Sequence, residues 1–304
     1  MIFDIKNLKV DILKKFDGKN NFFNPTCYPS FENYKSIKPY ILFRKESVYK
    51  NKALISDIVD QYDNIILKSY VQNDILYSFE DARFINNEEL SVCVCQRDYR
   101  DFSKMIRVSF AKYNLKTRTL NHFKTQNAHF EKHWQFYNDK IIYHINPYII
   151  FDSNENVIYK KEINLQPWSD KYGSPGLSTN VFDIDGIKYL IFHSSTWTGK
   201  LYFKYFIGLL KLNEDLTPIG YTNRPLFECN REYSDLNLLN NLWNWRRTEL
   251  CETIKYEVIF PMNVIVNNTH LNIYAGLNDC SAVNIKIDKV QFINKIKNEP
   301  FILV

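Results

Sequence analysis

Glycine and proline are scarce in this chain, 8 and 10 among 304 residues. That scarcity argues against long flexible linkers and low-complexity tracts. No apolar run reaches the ~18–20 residues that a bilayer-spanning helix needs. Residues 1–20 are charged and alternating, without the apolar core of a signal peptide, so a cytoplasmic location is the expectation. The cysteines (Cys27, Cys93, Cys95, Cys229, Cys251 and Cys280) include no Cys-x-x-Cys pair, and no metal or redox centre is expected from them. Cys93 and Cys95 would share one face of a strand and read as two small buried apolar residues. Dense Lys/Arg runs are also missing. The formal charge of +5 is a mild excess that gives no nucleic-acid stripe. It speaks to solubility, and would equally suit an anionic small molecule.

What the chain has is apolar and aromatic material, 45% hydrophobic and 16% Phe, Trp and Tyr, ample for a large core. Short β-branched and aromatic runs recur: 39–44, 90–95, 105–111, 140–144, 188–193, 205–210, 257–260 and 271–275. They read as strands. Asn86-Asn87, Asn138-Asp139, Asp185-Gly186 and Asn267-Asn268 are turn signals between them. Helix is expected only in short pieces, 236–242 and 289–296.

One local pattern repeats. A strand that begins with polar residues runs to an Asn/Asp/Gly turn and then to a strongly apolar strand. Copies start near Asn24, Phe79, His133, Asn180 and Pro261. Five copies in this length give about 60 residues each, the size of a four-stranded propeller blade with its loops. The expectation is a single all-β domain over 1–304, a five-bladed β-propeller. Residues 1–20 and 290–304 would be closing segments, and 228–255 a short helical or irregular insertion between blades four and five. A propeller would gather the polar strand starts around one channel. A sandwich would give them no reason to converge.

Asn24-Pro25, Arg44-Lys45-Glu46, Glu80-Asp81-Ala82-Arg83, Glu131-Lys132-His133-Trp134, Gly173-Ser174-Pro175 with His193, Val258 to Pro261 and Tyr274 to Asp279 together resemble glycoside hydrolase family 130. They resemble equally the related β-mannosyltransferases of glycosyltransferase family 108. The likeness is collinear over about residues 20–290. It implies a five-bladed propeller acting on β-mannosides by phosphorolysis, mannosyl transfer or hydrolysis. Asp81 falls on the family's catalytic acid, which delivers a proton to the leaving oxygen. In the family's phosphorylases that proton is thought to pass through a sugar hydroxyl. Asn24, Arg44, Arg83, Tyr274, Asn278 and Asp279 fall on or beside sugar-contacting positions, with Arg83 also suited to tying Glu80 or Asp81 in place.

Lys132 and His193 fall on phosphate ligands, and Arg107 is offered as a third. His133 and Asn263 depart from the family's usual residues, and small residues at Ser178 and Thr179 replace a third-blade basic group. No cofactor is implied beyond inorganic phosphate or a sugar phosphate as co-substrate. The implied partner is a mannoside or oligosaccharide. An inverting hydrolase would need a second carboxylate, for which Glu131 and Glu249 are candidates. A non-catalytic carbohydrate-binding propeller is the reading from another class. Trp243-Asn244-Trp245-Arg246-Arg247 in the insertion would suit a lid or an acceptor loop. Exposed edges and this aromatic insertion permit a homodimer.

Overall fold

A computed structural model of the chain describes residues 2–4, 7–15, 20–28, 40–49, 53–101, 104–124, 132–198, 202–228, 255–277 and 281–304. The insertion at 229–254, with Trp243 to Arg247 and Glu249, lies outside the described residues, as do Glu131, Asn278 and Asp279.

The described strands form five sheets in a ring. Blade 1 holds β2 (Asn21–Cys27), β3 (Ile41–Tyr49), β4 (Ala53–Asp60) and β5 (Ile65–Leu67); β1 (Lys9–Lys15) belongs elsewhere. Blade 2 holds β6 (Tyr70–Gln72), β7 (Ile75–Phe84), β8 (Glu89–Asp98), β9 (Met105–Asn114) and β10 (Leu120–His122). Blade 3 is smaller, with β11 (Gln135–Tyr137), β12 (Lys140–Ile145), β13 (Tyr148–Asp152) and β14 (Val157–Lys161).

A short helix α1 (Gln166–Tyr172) leads into blade 4, made of β15 (Pro175–Leu177), β16 (Phe182–Ile184), β17 (Ile187–Thr198), β18 (Tyr202–Leu212) and β19 (Pro218–Thr222), with β20 (Phe227–Glu228) and β21 (Lys255–Glu257) added to β18. Blade 5 is β22 (Ile259–Val266), β23 (His270–Leu277) and β24 (Ser281–Asp288). Its outer strand is β1, which runs antiparallel to β24 from Lys9↔Lys286 to Lys15↔Ser281. The N-terminal strand thus completes the last blade and closes the ring. After β24 the chain forms α2 (Lys289–Lys297) and ends in β25 (Phe301–Leu303), which pairs with β19 of blade 4.

The turn signals in the sequence sit at the hairpins. Asn138 (φ 53°), Asp185 (φ 53°) and Gly186 (φ 80°) take the left-handed conformation that tight β-hairpins require. Alternation then divides each apolar strand between two neighbours. On β8, Leu90, Val92 and Val94 pack with Leu42 and Ile58 of blade 1. Cys93 and Cys95, on the opposite face, pack with Trp134, Ile141 and Phe151 of blade 3. On β17, Leu190 and Phe192 face blade 3 and Tyr189 and Ile191 face blade 5. The seam between blades 5 and 1 is closed by Ala282 against Phe22, Phe43 and Val59. Each blade seam therefore has its own apolar cluster, which is why the sheets stand face to face around an axis rather than stacking as a sandwich.

Two helices are described. The expected helix at 289–296 is α2, which buries Phe292 and Ile296; Asp288 caps it, its carboxylate accepting from the Gln291 backbone N–H at 2.8 Å. Asp288→Ala should cost about 1 kcal/mol in chemical denaturation; an unchanged midpoint would show that the cap contributes nothing. Helix α1 was not foreseen. Seven residues give too little periodicity to read, although Pro167 in its first turn and buried Trp168 mark it in retrospect.

Candidate active site

The inner strands of blades 1, 2, 4 and 5 are interrupted, and blade 3 has a left-handed residue just before β11. On β7 the register shifts between Glu80 and Arg83, and Asp81 takes φ 50°. On β2 it shifts between Phe23 and Thr26, and Asn24 takes φ 47°. His133, just before β11, takes φ 73°. In blade 4 the Ser178 and Thr179 amides both donate to the Ile191 carbonyl, at 3.2 and 3.1 Å. On β22 the shift falls between Pro261 and Asn263. A bulge re-aims side chains, and these breaks put polar residues where a regular strand would continue its alternation.

Asp81 is 4% exposed. Its Oδ1 accepts from Asn24 Nδ2 at 2.7 Å, across the seam from blade 1, and Arg44 Nη1 stands 3.9 Å away. Arg44 is the hub of the cluster. Its Nη2 donates to Glu46 Oε1 and to Glu80 Oε1, both at 2.8 Å, and its Nε donates to Ser56 Oγ at 3.2 Å. Lys132 donates to the other Glu80 oxygen at 3.2 Å and keeps 40% of its side chain in solvent.

Burial alone would lift the Glu80 carboxyl. The Arg44 and Lys132 charges overcome it and hold the group down to about 2. Burial would lower Arg44 too, but Glu80, Glu46 and Asp81 push it upward. Glu80 is therefore an anion at neutral pH with no proton to give.

Arg83 is placed differently from what its neighbours in sequence suggest. The register shift turns its guanidinium toward the axis. Nε and Nη2 donate to the Ser178 carbonyl at 3.3 and 3.1 Å, Nη1 to the Asp81 carbonyl at 3.1 Å, and Nη2 also meets Met262 Sδ at 3.5 Å. Arg83 thus ties blades 2, 4 and 5 beneath the carboxylates and fixes the Asp81 backbone. The partner of Glu80 is Arg44, not Arg83. Tyr274 is buried in the seam between blades 5 and 1, where burial and the neighbouring Cys27 raise its hydroxyl.

His193 hydrogen-bonds Ser178 through Nδ1 at 2.7 Å, and burial with the Arg83 charge lowers it to about 3. Burial likewise takes His133 well below the usual imidazole value. The two rings lie 5.0 Å apart and share a cluster with Phe260. Both are neutral at physiological pH. The register puts Arg107 two strands outward, opposite Gln96, which in turn faces Tyr77, four residues before Asp81. Asn24, Arg44, Glu80, Asp81 and Lys132 come together; Arg107 is not part of that hydrogen-bonded group. Glu80 and Glu46 were not singled out as site residues, and the signal for them was their adjacency to Asp81 and Arg44.

A cavity of about 430 Å³ opens beside Lys132 and His133, between blades 3 and 4. Tyr143, His144, Ile145 and Leu177 also line it. It lies between the β12–β13 hairpin of blade 3 and the short strand β15 of blade 4. Its size is that of ordinary small-ligand sites.

No protein-family model and no curated protein matches the chain. Solved structures do. One is MPT-1, a GDP-Man-dependent mannosyltransferase from Leishmania mexicana, at 16% identity over 92% of this chain and 90% of that one, with a TM-score of 0.58. A second is MPT-4, a mannose phosphorylase from Leishmania mexicana in complex with phosphate ion, at 14% identity over 96% and 92%, with a TM-score of 0.56. A third is the β-1,2-mannobiose phosphorylase from Listeria innocua, at 13% identity over 88% and 72%, with a TM-score of 0.50. The structural neighbours thus include mannoside phosphorylases and a mannosyltransferase. At these identities the likeness establishes the propeller fold.

Proposed function

We propose that the protein is a carbohydrate-active enzyme that makes or cleaves β-mannosidic bonds with inversion. It acts as a β-mannoside phosphorylase or as a mannosyltransferase with a sugar-phosphate donor, and Asp81 is its general acid/base. The observation that carries this reading is the Asp81 carboxylate, raised on a strand bulge at the axis and oriented by Asn24. Its neighbour Glu80 is locked as an anion by Arg44 and Lys132. Of these two neighbouring carboxylates, proton transfer thus falls to Asp81.

Among the described residues that division favours transfer over hydrolysis; Glu131 and Glu249, the candidates for a hydrolase's second carboxylate, lie outside them. An inverting hydrolase needs a second carboxylate to activate water. Among the described residues, the carboxylates next to Asp81 are Glu46 and Glu80, and both are bound by Arg44. A phosphorylase or transferase needs only one, because phosphate or the acceptor hydroxyl is the other reactant.

Lys132 is the partly exposed cation that a phosphate-bearing substrate would meet, as a point charge. Neutral His193 would add a hydrogen bond rather than a charge, and Arg107 would act from the outer part of blade 2. Asn24 and Arg44 would meet the sugar together with Asn278 and Asp279, while Tyr274 and Arg83 would shape the wall and floor. The cavity beside Lys132 gives the second substrate room.

The test is incubation with α-mannose 1-phosphate, and separately with GDP-mannose, against mannose, mannobiose and N-acetylglucosamine as acceptors. Release of phosphate or GDP together with a longer glycan is expected. Consumption of the donor to free mannose alone would support the hydrolase. Glycan binding without any turnover would support a binding propeller.

A further inference from the structure

Three unfavourable features meet at Asn24. Its backbone is held at φ 47°, a region that non-glycine residues seldom occupy. Its Oδ1 is buried and has no hydrogen-bond partner among the described residues. Its side chain is pressed against the backbone of Gly276 on β23, so closely that a β-carbon there would stand 2.3 Å from Asn24 Oδ1 and 3.1 Å from Asn24 N. Buried orphan acceptors and left-handed backbone gather where structure serves a site rather than stability. What Asn24 obtains in return is one hydrogen bond, Nδ2 to Asp81 Oδ1 at 2.7 Å. Asp81 Oδ1 is the acceptor of that bond, so the NH2 end of the amide is the end that faces it. The carbonyl end is then forced toward blade 5, where only a residue without a side chain leaves space.

We propose that Gly276 is a positioning residue: through Asn24 it fixes the orientation of the Asp81 carboxylate, so that blades 5, 1 and 2 together set the geometry of the acid/base. The proposal rests on the reading of Asp81 as that acid/base. A methyl group at 276 drives the Asn24 amide out of its slot and breaks its bond to Asp81. Among the described residues, the carboxylate then keeps only the more distant Arg44 contact at 3.9 Å.

The test uses the full chain in four forms: wild type, Gly276→Ala, Asn24→Ala and the double variant. A misplacement of about 1 Å can cost about 100-fold in rate. Gly276→Ala is therefore expected to lower kcat about 100-fold with little change in KM. In the Asn24→Ala background the same change should cost less than about 2-fold, because the atom it displaces is gone. Losses that multiply across the two variants, or an unchanged kcat for Gly276→Ala, would overturn the proposal.

A crystal structure of Gly276→Ala decides the same point without any assay. Asn24 Nδ2 should have left Asp81 Oδ1; an unmoved pair refutes the proposal. Should the wild type turn over no donor, the functional reading fails while this structural arm still answers. If Gly276→Ala does not fold alone, the double variant should fold, since truncated Asn24 makes room for the methyl. Failure of both would show a clash with the backbone rather than with Asn24, and would also overturn the proposal.

Discussion

Asp81→Asn is expected to remove turnover by about 10²–10⁴-fold, the usual contribution of a positioned general acid or base, while leaving the melting transition and the affinity for mannosides nearly unchanged. The substitution keeps the shape of the side chain and an oxygen that can accept from Asn24 Nδ2, so the wall of the site stays in place. It removes the exchangeable proton. Glu80 cannot take over, because its carboxyl is held down to about 2 by Arg44 and Lys132. Steady-state rates and calorimetric titration of a mannoside, on the same preparation, check both halves. A variant that keeps more than about a tenth of its rate would show that another group carries the proton. One that loses sugar affinity along with rate would make Asp81 a binding residue.

Arg44→Ala should be the most destabilising change at the site, by ~3–5 kcal/mol, because it removes the cation that buried Glu46 and Glu80 share. Arg44 has 14% of its side chain exposed, Glu46 3% and Glu80 9%. The pH dependence carries a second signature. The Glu80 carboxyl is lowered in the fold from about 4.5 to about 2. Its contribution is then fully present above about 4.5 and is lost as pH falls toward 2. Wild-type stability should drop through that window. In Arg44→Ala the carboxyl is held down less, so the variant starts lower and its stability falls less steeply over the same range. Urea denaturation at several pH values between 2.5 and 7 measures this. A parallel pair of curves would mean that Arg44 does not set the ionisation of Glu80.

Local pattern made the architecture readable. The Asn-Asp and Asp-Gly turns needed no tertiary information, because left-handed backbone at Asn138, Asp185 and Gly186 suits those residue types. The period-2 alternation of Leu90 to Cys95 marked a strand buried on both faces, and the structure divides those faces between two blade seams. Closure was less legible. Pairing of Lys9–Lys15 with Ser281–Lys286 joins the two ends of the ring, and a charged alternating segment carries no mark of its partner.

The candidate site was legible as a set of residues more than as a geometry. Asp81, Asn24, Arg44 and Lys132 came from the collinear family resemblance, and the structure brings them together in one hydrogen-bonded group. Their pairing could not be read, because it depends on a bulge that no glycine announces. Counted without the register shift, Arg83 would share a face with Asp81; with the shift, it turns to Ser178 and Met262, and Arg44 arrives from the neighbouring blade. The room left by Gly276 is likewise a fact about two blades, invisible in either alone.

A proton NMR time course of the wild-type protein with α-mannose 1-phosphate or GDP-mannose and a mannoside acceptor, watching the anomeric region, tests inverting mannosyl transfer. Loss of the α-linked donor, growth of a β-anomeric signal from the new linkage, and matching release of phosphate or GDP are expected. An α-linked product would contradict inversion. Accumulation of free mannose alone, or an unchanged donor with every acceptor, would contradict Asp81 as the acid/base of a mannosyl transfer.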